Sequence, residues 1–318
     1  MKIPEQLEKA IEEKIKNVKL AELKQCASKL SEKYMKQERT GDTLLNTEIE
    51  ALAYAIMRMP ATYGAVYTTL KNTLERIDSN IQSVLDIGAG TGAATWAIND
   101  LLKSNNIRCF EREQVMLELG KSFMSQNPEL RDVSWEYADI VKDNLDVKAD
   151  LVITSYMLNE IKPEERNKVI HKLIESSNHI IVIIEPGTPE GFKNIKQVQK
   201  ITIENGLHIV APCTFQGMCP LSDDDWCHSI VRMERTKLHK LLKNAELPYE
   251  DEKFSYIAVS KMKTDKKDRI LRHPKIENGR IILKLCTTEG DIEEKTITKK
   301  EKEKFKIAKK LSNGDILK

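Results

Sequence analysis

The hydrophobic positions of this chain change their period near residue 80. Before that point apolar residues recur at spacings of three and four: Leu7, Ile11, Ile15 and Val18, then Leu20, Leu23, Ala27 and Leu30, which predicts amphipathic helices. The polar stretch Lys36 to Asp42 interrupts them. A second helix is predicted over roughly Asn46 to Arg58, and Pro60 sits where a third can begin, running through Tyr63, Val66, Tyr67 and Leu70. Tyr63 and Tyr67 stand one turn apart, which suits a packed helix face or a platform for stacking on a base. Beyond residue 80, short apolar runs alternate with amphipathic segments. Strands are predicted near 82–87, 107–111, 132–138, 150–155 and 179–185, with helices near 91–103, 113–126 and 163–177 and a further helical insertion from Gly191 to Leu207. This is the rhythm of a doubly wound α/β fold with a mainly parallel sheet, which holds ligands at the carboxyl ends of its strands.

The first of those strands runs into Asp86-Ile87-Gly88-Ala89-Gly90-Thr91-Gly92. Closely spaced glycines between strand and helix permit positive φ and let a ligand approach backbone amides. A G-x-G-x-x-A reading also satisfies the dinucleotide fingerprint, with Glu111 near the ~20-residue offset of the ribose acid. Asp86 argues against that reading, because a carboxylate at the strand end repels a pyrophosphate but accepts a hydrogen bond from an ammonium group or a water. S-adenosylmethionine has an ammonium and a sulfonium and no phosphate. Glu111 ends the second strand where ribose hydroxyls need an acceptor, and Asp139, followed by Ile140, stands where an adenine amino group needs one. Together with Gly88, Ala89, Gly90, Thr91, Gly92 and Ser155 at the end of the fourth strand, these residues form the expected cofactor cradle. The pattern resembles the class I S-adenosylmethionine-dependent methyltransferases.

The fourth strand continues as Ser155-Tyr156-Met157-Leu158-Asn159-Glu160. It lacks the Asn/Asp-Pro-Pro-aromatic tetrad of amino-methylating nucleic-acid enzymes, and no Pro-Cys pair follows this strand to supply a thiolate for carbon methylation. Tyr156, Asn159 and Glu160 are the candidate catalytic side chains, although Asn159 and Glu160 equally suit a helix start. Methyl transfer from a sulfonium can proceed by proximity and alignment, so a cradle without an evident base is compatible with activity.

Composition adds a partner. The 318 residues are 40% hydrophobic and 31% charged with a net charge of +2, and no apolar run reaches bilayer length. From Lys253 onward there are 19 Lys and Arg against 10 Asp and Glu, leaving 32 against 39 before it. Lys261, Lys263, Lys266, Lys267, Arg269, Arg272 and Lys275 form one basic cluster, and Lys299, Lys300, Lys302, Lys304, Lys306, Lys309 and Lys310 another. A basic end suggests a polyanionic partner such as RNA, whereas the glutamates interspersed in the second cluster suit an ordinary solvated face. The organisation expected is a helical region 1–78, a cofactor domain 79–262 with a cysteine-rich insertion at 208–228, and a small basic, β-rich appendage 263–318. A monomer without membrane attachment is expected. Acids early in Met1 to Glu8 suit neither a signal peptide nor a transit peptide, which leads to a cytoplasmic expectation.

Three of six cysteines, Cys213, Cys219 and Cys227, fall within fifteen residues in a Pro- and Gly-punctuated segment. A metal suits them better than disulfides in a chain read as intracellular. Cys-x5-Cys-x7-Cys is not the paired knuckle usual for zinc, whereas iron-sulfur ligation tolerates irregular loops. Cys26 and Cys109 lie on a predicted helix and strand, which leaves Cys286 as the expected fourth ligand; the alternative is that the cysteines are incidental and hold no metal. His228 could complete a zinc site instead, or stand outside the ligand set.

Asp86 to Gly92, Ser155 to Glu160, Glu185-Pro186-Gly187-Thr188-Pro189, Ala211-Pro212-Cys213 with Cys219-Pro220, Asp225-Trp226-Cys227-His228, Phe254-Ser255-Tyr256 and Leu285-Cys286-Thr287 together resemble the methyltransferase-like proteins of the mitochondrial small ribosomal subunit and their bacterial relatives. The resemblance covers the chain from about residue 50. It implies an S-adenosylmethionine-type fold, a 4Fe-4S cluster on Cys213, Cys219, Cys227 and Cys286 with zinc as the alternative, and a role with rRNA in small-subunit assembly or translation. Four thiolates would close such a cluster, which excludes radical chemistry. The alternatives are an assembly factor that has lost catalysis and a small-molecule methyltransferase. The lack of a transit-like start points to a bacterial or archaeal member.

Overall fold

A computed structural model describes residues 1–35, 45–78, 80–104, 106–222, 224–264 and 267–316. The polar break Lys36 to Asp42 and the basic-cluster member Lys266 lie outside them. Two helices, α1 (Glu5–Ile15) and α2 (Leu20–Met35), precede a long α3 (Glu48–Leu74). The two helices expected on either side of Pro60 are therefore one. Proline within a helix removes a hydrogen bond and costs about 3 kcal/mol. Burial of Leu52, Ile56, Met57, Met59, Val66 and Leu70 on α3 outweighs it, at ~1.5–3 kcal/mol for each large apolar side chain. A capping box starts this helix, with Thr47 Oγ1 accepting the Glu50 N–H and Glu50 accepting the Thr47 N–H.

The alternation that follows is β1 (Ser83–Ile87), α4 (Ala93–Leu102), β2 (Asn106–Glu111), α5 (Gln114–Met124), β3 (Ser134–Tyr137), β4 (Ala149–Ser155), α6 (Pro163–Glu175), β5 (Ser177–Pro186) and α7 (Pro189–Glu204). Strands β1 to β5 are mutually parallel in the order β3-β2-β1-β4-β5. The sheet is closed by β6 (His208–Ala211), β7 (Ser229–Glu234) and, after the short helix α8 (Lys237–Leu242), β8 (Tyr249–Ser260). Strand β8 lies antiparallel to β5, and its other edge is shared end to end by β6 and β7. The cysteine-rich segment thus interrupts a single edge strand, and its two ends are held side by side on β8.

Period-two alternation gives the sheet two buried faces. Val84, Ile107, Cys109, Leu151, Ile153, Val182 and Ala258 face α3, α4 and α5 in one core that also takes in Leu7, Ile11 and Leu23 of α1 and α2. Leu85, Ile87, Val152, Ile181, Ile183, Ile257 and Val259 face α6 and α7 in the other. The chain ends in a small antiparallel sheet of β9 (Arg269–Ile270), β10 (Lys275–Glu277), β11 (Arg280–Cys286) and β12 (Ile292–Thr298), followed by α9 (Lys302–Ala308). Ile270, Ile281, Leu283, Leu285, Ile297 and Ala308 form its own core. No helix among the described residues is long and apolar enough to cross a membrane.

Candidate functional site

The turn after β1 needs its glycines. Gly88, Gly90 and Gly92 have φ of +69°, +58° and +84°, where a Cβ is strained. A Cβ on Gly88 would also stand 2.9 Å from Met157 Sδ, and one on Gly92 2.4 Å from Met124 Cε. The amides of Gly88 and Ala89 donate to the Phe110 carbonyl at 2.9 and 3.1 Å, and that of Gly90 to Glu111 Oε2 at 2.7 Å. The second Glu111 oxygen accepts the Glu113 N–H at 2.8 Å. Burial nonetheless pushes the Glu111 carboxyl up.

One cavity at the carboxyl ends of β1, β2 and β4 is lined by Gly88, Gly90, Glu111, Asp139, Ile140, Ser155, Tyr156 and Glu160 among the expected residues, with Ile87, Phe110 and Met116 as apolar walls. Leu45 and Tyr54 close one side, the former anchored by its N–H on Glu113 Oε2 at 3.0 Å. Asp139 is held by the Val141 N–H at 3.0 Å and Lys142 at 3.0 Å. Burial works against its charge, but Lys142 and that N–H keep its carboxyl below the ordinary range.

The other expected residues stand elsewhere. Asp86 is fully buried beneath the turn, where its Oδ2 accepts the Thr95 hydroxyl at 2.8 Å and its Oδ1 has no partner among the described residues. Burial pushes its carboxyl up to about 7, with Glu111 adding to the effect and Thr95 opposing it. Ala89, Thr91 and Gly92 lie on the buried side of the turn, Thr91 against Met59 of α3. Asn159 belongs to a short 3-10 turn, Leu158–Glu160, outside the cavity lining. Tyr63, read as a packed face or a stacking platform, is buried and gives its hydroxyl to Asp100 at 2.6 Å, 6.0 Å from the Tyr67 ring.

Tyr156 has φ of +60°, an uncommon conformation for a bulky residue. Its hydroxyl donates to Glu252 Oε1 at 2.8 Å, Glu252 pairs with Arg58 at 3.1 Å, and that guanidinium lies over the Tyr156 ring at 5.7 Å. Burial, then Glu252, pushes the phenol up, so it stays protonated. Glu185, fully buried at the end of β5, accepts the Leu158 N–H and the Asn194 amide, each at 3.0 Å, and holds the 3-10 turn against the cavity. Its carboxyl is pushed up to about 7 by burial, against the pull of those donors. Sequence reasoning missed Arg58, Glu185 and Glu252 as site-shaping groups; only Glu185 carried a local signal, an acid ending an all-apolar strand. Arg112, 3.9 Å from Glu160, also lines the cavity.

A second cavity gathers Cys213, Cys219, Cys227 and Cys286, with His228, Arg269 and apolar Phe192, Phe215 and Leu221 in its lining. All six cysteines are free thiols; Cys26 is on α2 and Cys109 is buried beside Thr95. Burial and the neighbouring thiols push Cys213 up, and burial pushes Cys219 up to about 11. Among the described residues, no group of three or more His, Cys, Asp and Glu side chains is drawn together tightly enough to hold a metal ion. The donor chemistry nevertheless fits a soft-metal centre: four thiols face one cavity whose described lining holds a guanidinium and no carboxylate. The His228 ring lies 6.1 Å from that of Trp226, and its Nδ1 has no partner among the described residues.

The strand order, the antiparallel penultimate strand and the glycine turn define a class I methyltransferase-type fold. The chain belongs to the Rsm22 family, described as mitochondrial small ribosomal subunit Rsm22, whose model matches residues 48–318. It is 22% identical over 292 residues to the human mitochondrial ribosome assembly protein METTL17, covering 85% of this chain and 63% of that protein. It is 21% identical over 341 residues to Rsm22-cox11 tandem protein 2 of Schizosaccharomyces pombe, covering 85% and 43%. The chain thus spans less than two thirds of these relatives. Among solved structures, magnesium protoporphyrin IX methyltransferase from Synechocystis, with bound SAM, is 12% identical, covering 77% of this chain and all of that one at a TM-score of 0.41. The glycopeptide N-methyltransferase MtfA is 11% identical, covering 62% and 89% at 0.42.

Proposed function

We propose that this protein binds S-adenosylmethionine in the β1–β2–β4 cavity and acts with small-subunit rRNA in ribosome assembly or translation. The observation that carries the cofactor reading is the convergence of Gly88, Gly90, Glu111 and Asp139 on one cavity at the strand ends. Gly88 and Gly90 leave room for a ligand over the turn, Glu111 would accept ribose hydroxyls, and Asp139 the adenine amino group. When bound, the cofactor supplies an electrophilic methyl group. Family membership, the name of the human relative and the exposed Lys299, Lys300, Lys302 and Lys304 support the ribosomal part. We place the protein in the cytoplasm as a monomer, with Cys213, Cys219, Cys227 and Cys286 holding a 4Fe-4S cluster; four thiols on one cavity support this, and zinc is the alternative. Titration calorimetry with S-adenosylmethionine tests the cofactor reading: saturable one-to-one binding is expected, and no heat at millimolar cofactor would remove it.

A specific observation favours a second reading, an assembly factor that keeps the cofactor without turnover. The Tyr156 hydroxyl is already committed to Glu252, and Glu252 to Arg58, so this trio serves as a brace. Cofactor binding with no methyl incorporation into small-subunit RNA would establish it.

A further inference from the structure

Arg269 is the least expected residue of the cysteine cavity. It is 2% exposed, and it stands opposite Cys286 across the β9–β11 pairing. Its Nη1 donates to Cys227 Sγ at 3.0 Å and its Nη2 to Ser229 Oγ at 3.2 Å, while Nε has no partner among the described residues. No Asp or Glu pairs with it among those residues; the titratable groups that act on it most strongly are the Cys227 thiol, the Tyr256 phenol and the Cys213 thiol, and burial holds the phenol and the Cys213 thiol in their protonated, neutral forms. A second guanidinium, Arg76, donates to the Pro212 carbonyl at 3.3 Å, beside Cys213. Arginine does not deprotonate in proteins, and a buried charge without a counter-ion is strongly unfavourable. Neutral thiols would leave this cavity with excess positive charge. Four thiolates on a metal centre would supply the missing negative charge, and hydrogen bonds to ligand sulfurs tune such centres.

We infer that Arg269 is the built-in counter-charge and sulfur hydrogen-bond donor of an anionic four-thiolate centre on Cys213, Cys219, Cys227 and Cys286. The inference rests on the metal reading above but not on which metal is held. As a positioning residue, Arg269 ties a ligand of the insertion to the strand beside a ligand of the appendage, and it offsets charge that the ligands bring.

The test compares full-length wild type, Arg269→Met and Arg269→Lys, purified anaerobically and analysed for iron, sulfide and zinc, with metal release to a chelator followed in time. Arg269→Met is expected to release its metal at least tenfold faster than wild type, and Arg269→Lys, which keeps the charge but not the fork, to fall between them. Where iron is bound, dye-mediated reduction should show a lower midpoint in Arg269→Met, by about 59 mV for each tenfold change in the ratio of reduced to oxidised centre. In the metal-free state the order of thermal stability should reverse, with Arg269→Met equal to or above wild type because the uncompensated charge is gone. A purely structural hydrogen bond would instead leave Arg269→Met less stable with and without metal, and that result overturns the inference. Metal in wild type with equal release from the variants overturns the role of Arg269 and leaves the metal reading standing. Wild type without metal overturns both. If Arg269→Met does not fold, Arg269→Lys decides: faster release than wild type supports the inference, and equal release overturns it.

Discussion

Asp86 offers a quantitative test of how the glycine turn is supported. Its carboxyl is fully buried, takes one hydrogen bond from Thr95 and moves from 3.8 to about 7. Between those values the folded chain holds a proton that the unfolded chain has released, so stability falls as pH rises through the window and levels off above it. At about 1.4 kcal/mol for each pH unit, the full fall is about 4 kcal/mol. Asp86→Asn keeps the shape and an acceptor for Thr95 but cannot ionise. Urea denaturation of the cofactor-free protein from pH 5 to pH 8 should show the stability of wild type relative to the variant declining by about 1 kcal/mol or more for each pH unit up to about pH 7. Glu185, also raised to about 7, gives both proteins a background slope of the same sign, and the difference between them removes it. A pH-independent difference would refute burial as the controlling feature of Asp86.

Gly88→Ala should cost ~1–2 kcal/mol from the left-handed backbone alone; with Met157 displaced, calorimetry should show cofactor affinity at least tenfold weaker. Tyr156→Phe should lower stability in urea by ~0.5–1.5 kcal/mol through loss of the Glu252 hydrogen bond while cofactor affinity is unchanged; a loss of affinity would place the hydroxyl on the ligand. Cys286→Ser should lose most of its bound metal on elemental analysis, and unchanged content would remove the appendage from the centre. Replacing Lys299, Lys300, Lys302 and Lys304 with Glu should flatten the salt dependence of rRNA binding by roughly 0.7 to 0.9 in logarithmic slope for each phosphate that is no longer neutralised.

Local features of the fold were legible because their causes are local. Apolar alternation and the glycine spacing located β1 to β5 and the turn, since strand period and positive φ are properties of neighbouring residues. Pro60 misled because the burial that overrides it comes from helices and strands remote in sequence. The same distance hid the brace of the site: Tyr156 and Glu252 are 96 residues apart, and Arg58 and Glu252 are 194 apart. Neither pairing has a signature within its own segment. Asp86 shows a subtler limit, for its place in the motif was evident but the direction of its side chain depends on Thr95, in the first turn of α4. Likewise Arg269 read as one member of a basic cluster, and only the pairing of β9 with β11 turns it inward.

The central claim is that a methyltransferase-type cavity and a basic appendage serve the small ribosomal subunit. It is tested most directly by measuring binding of the anaerobically purified protein to small-subunit and large-subunit rRNA at about 50 and about 200 mM salt. Selective binding to the small-subunit RNA, weakening by tenfold or more between the two salt concentrations, is the expected result. Equal affinity for both RNAs, or binding to neither, would contradict the claim and favour a small-molecule methyltransferase.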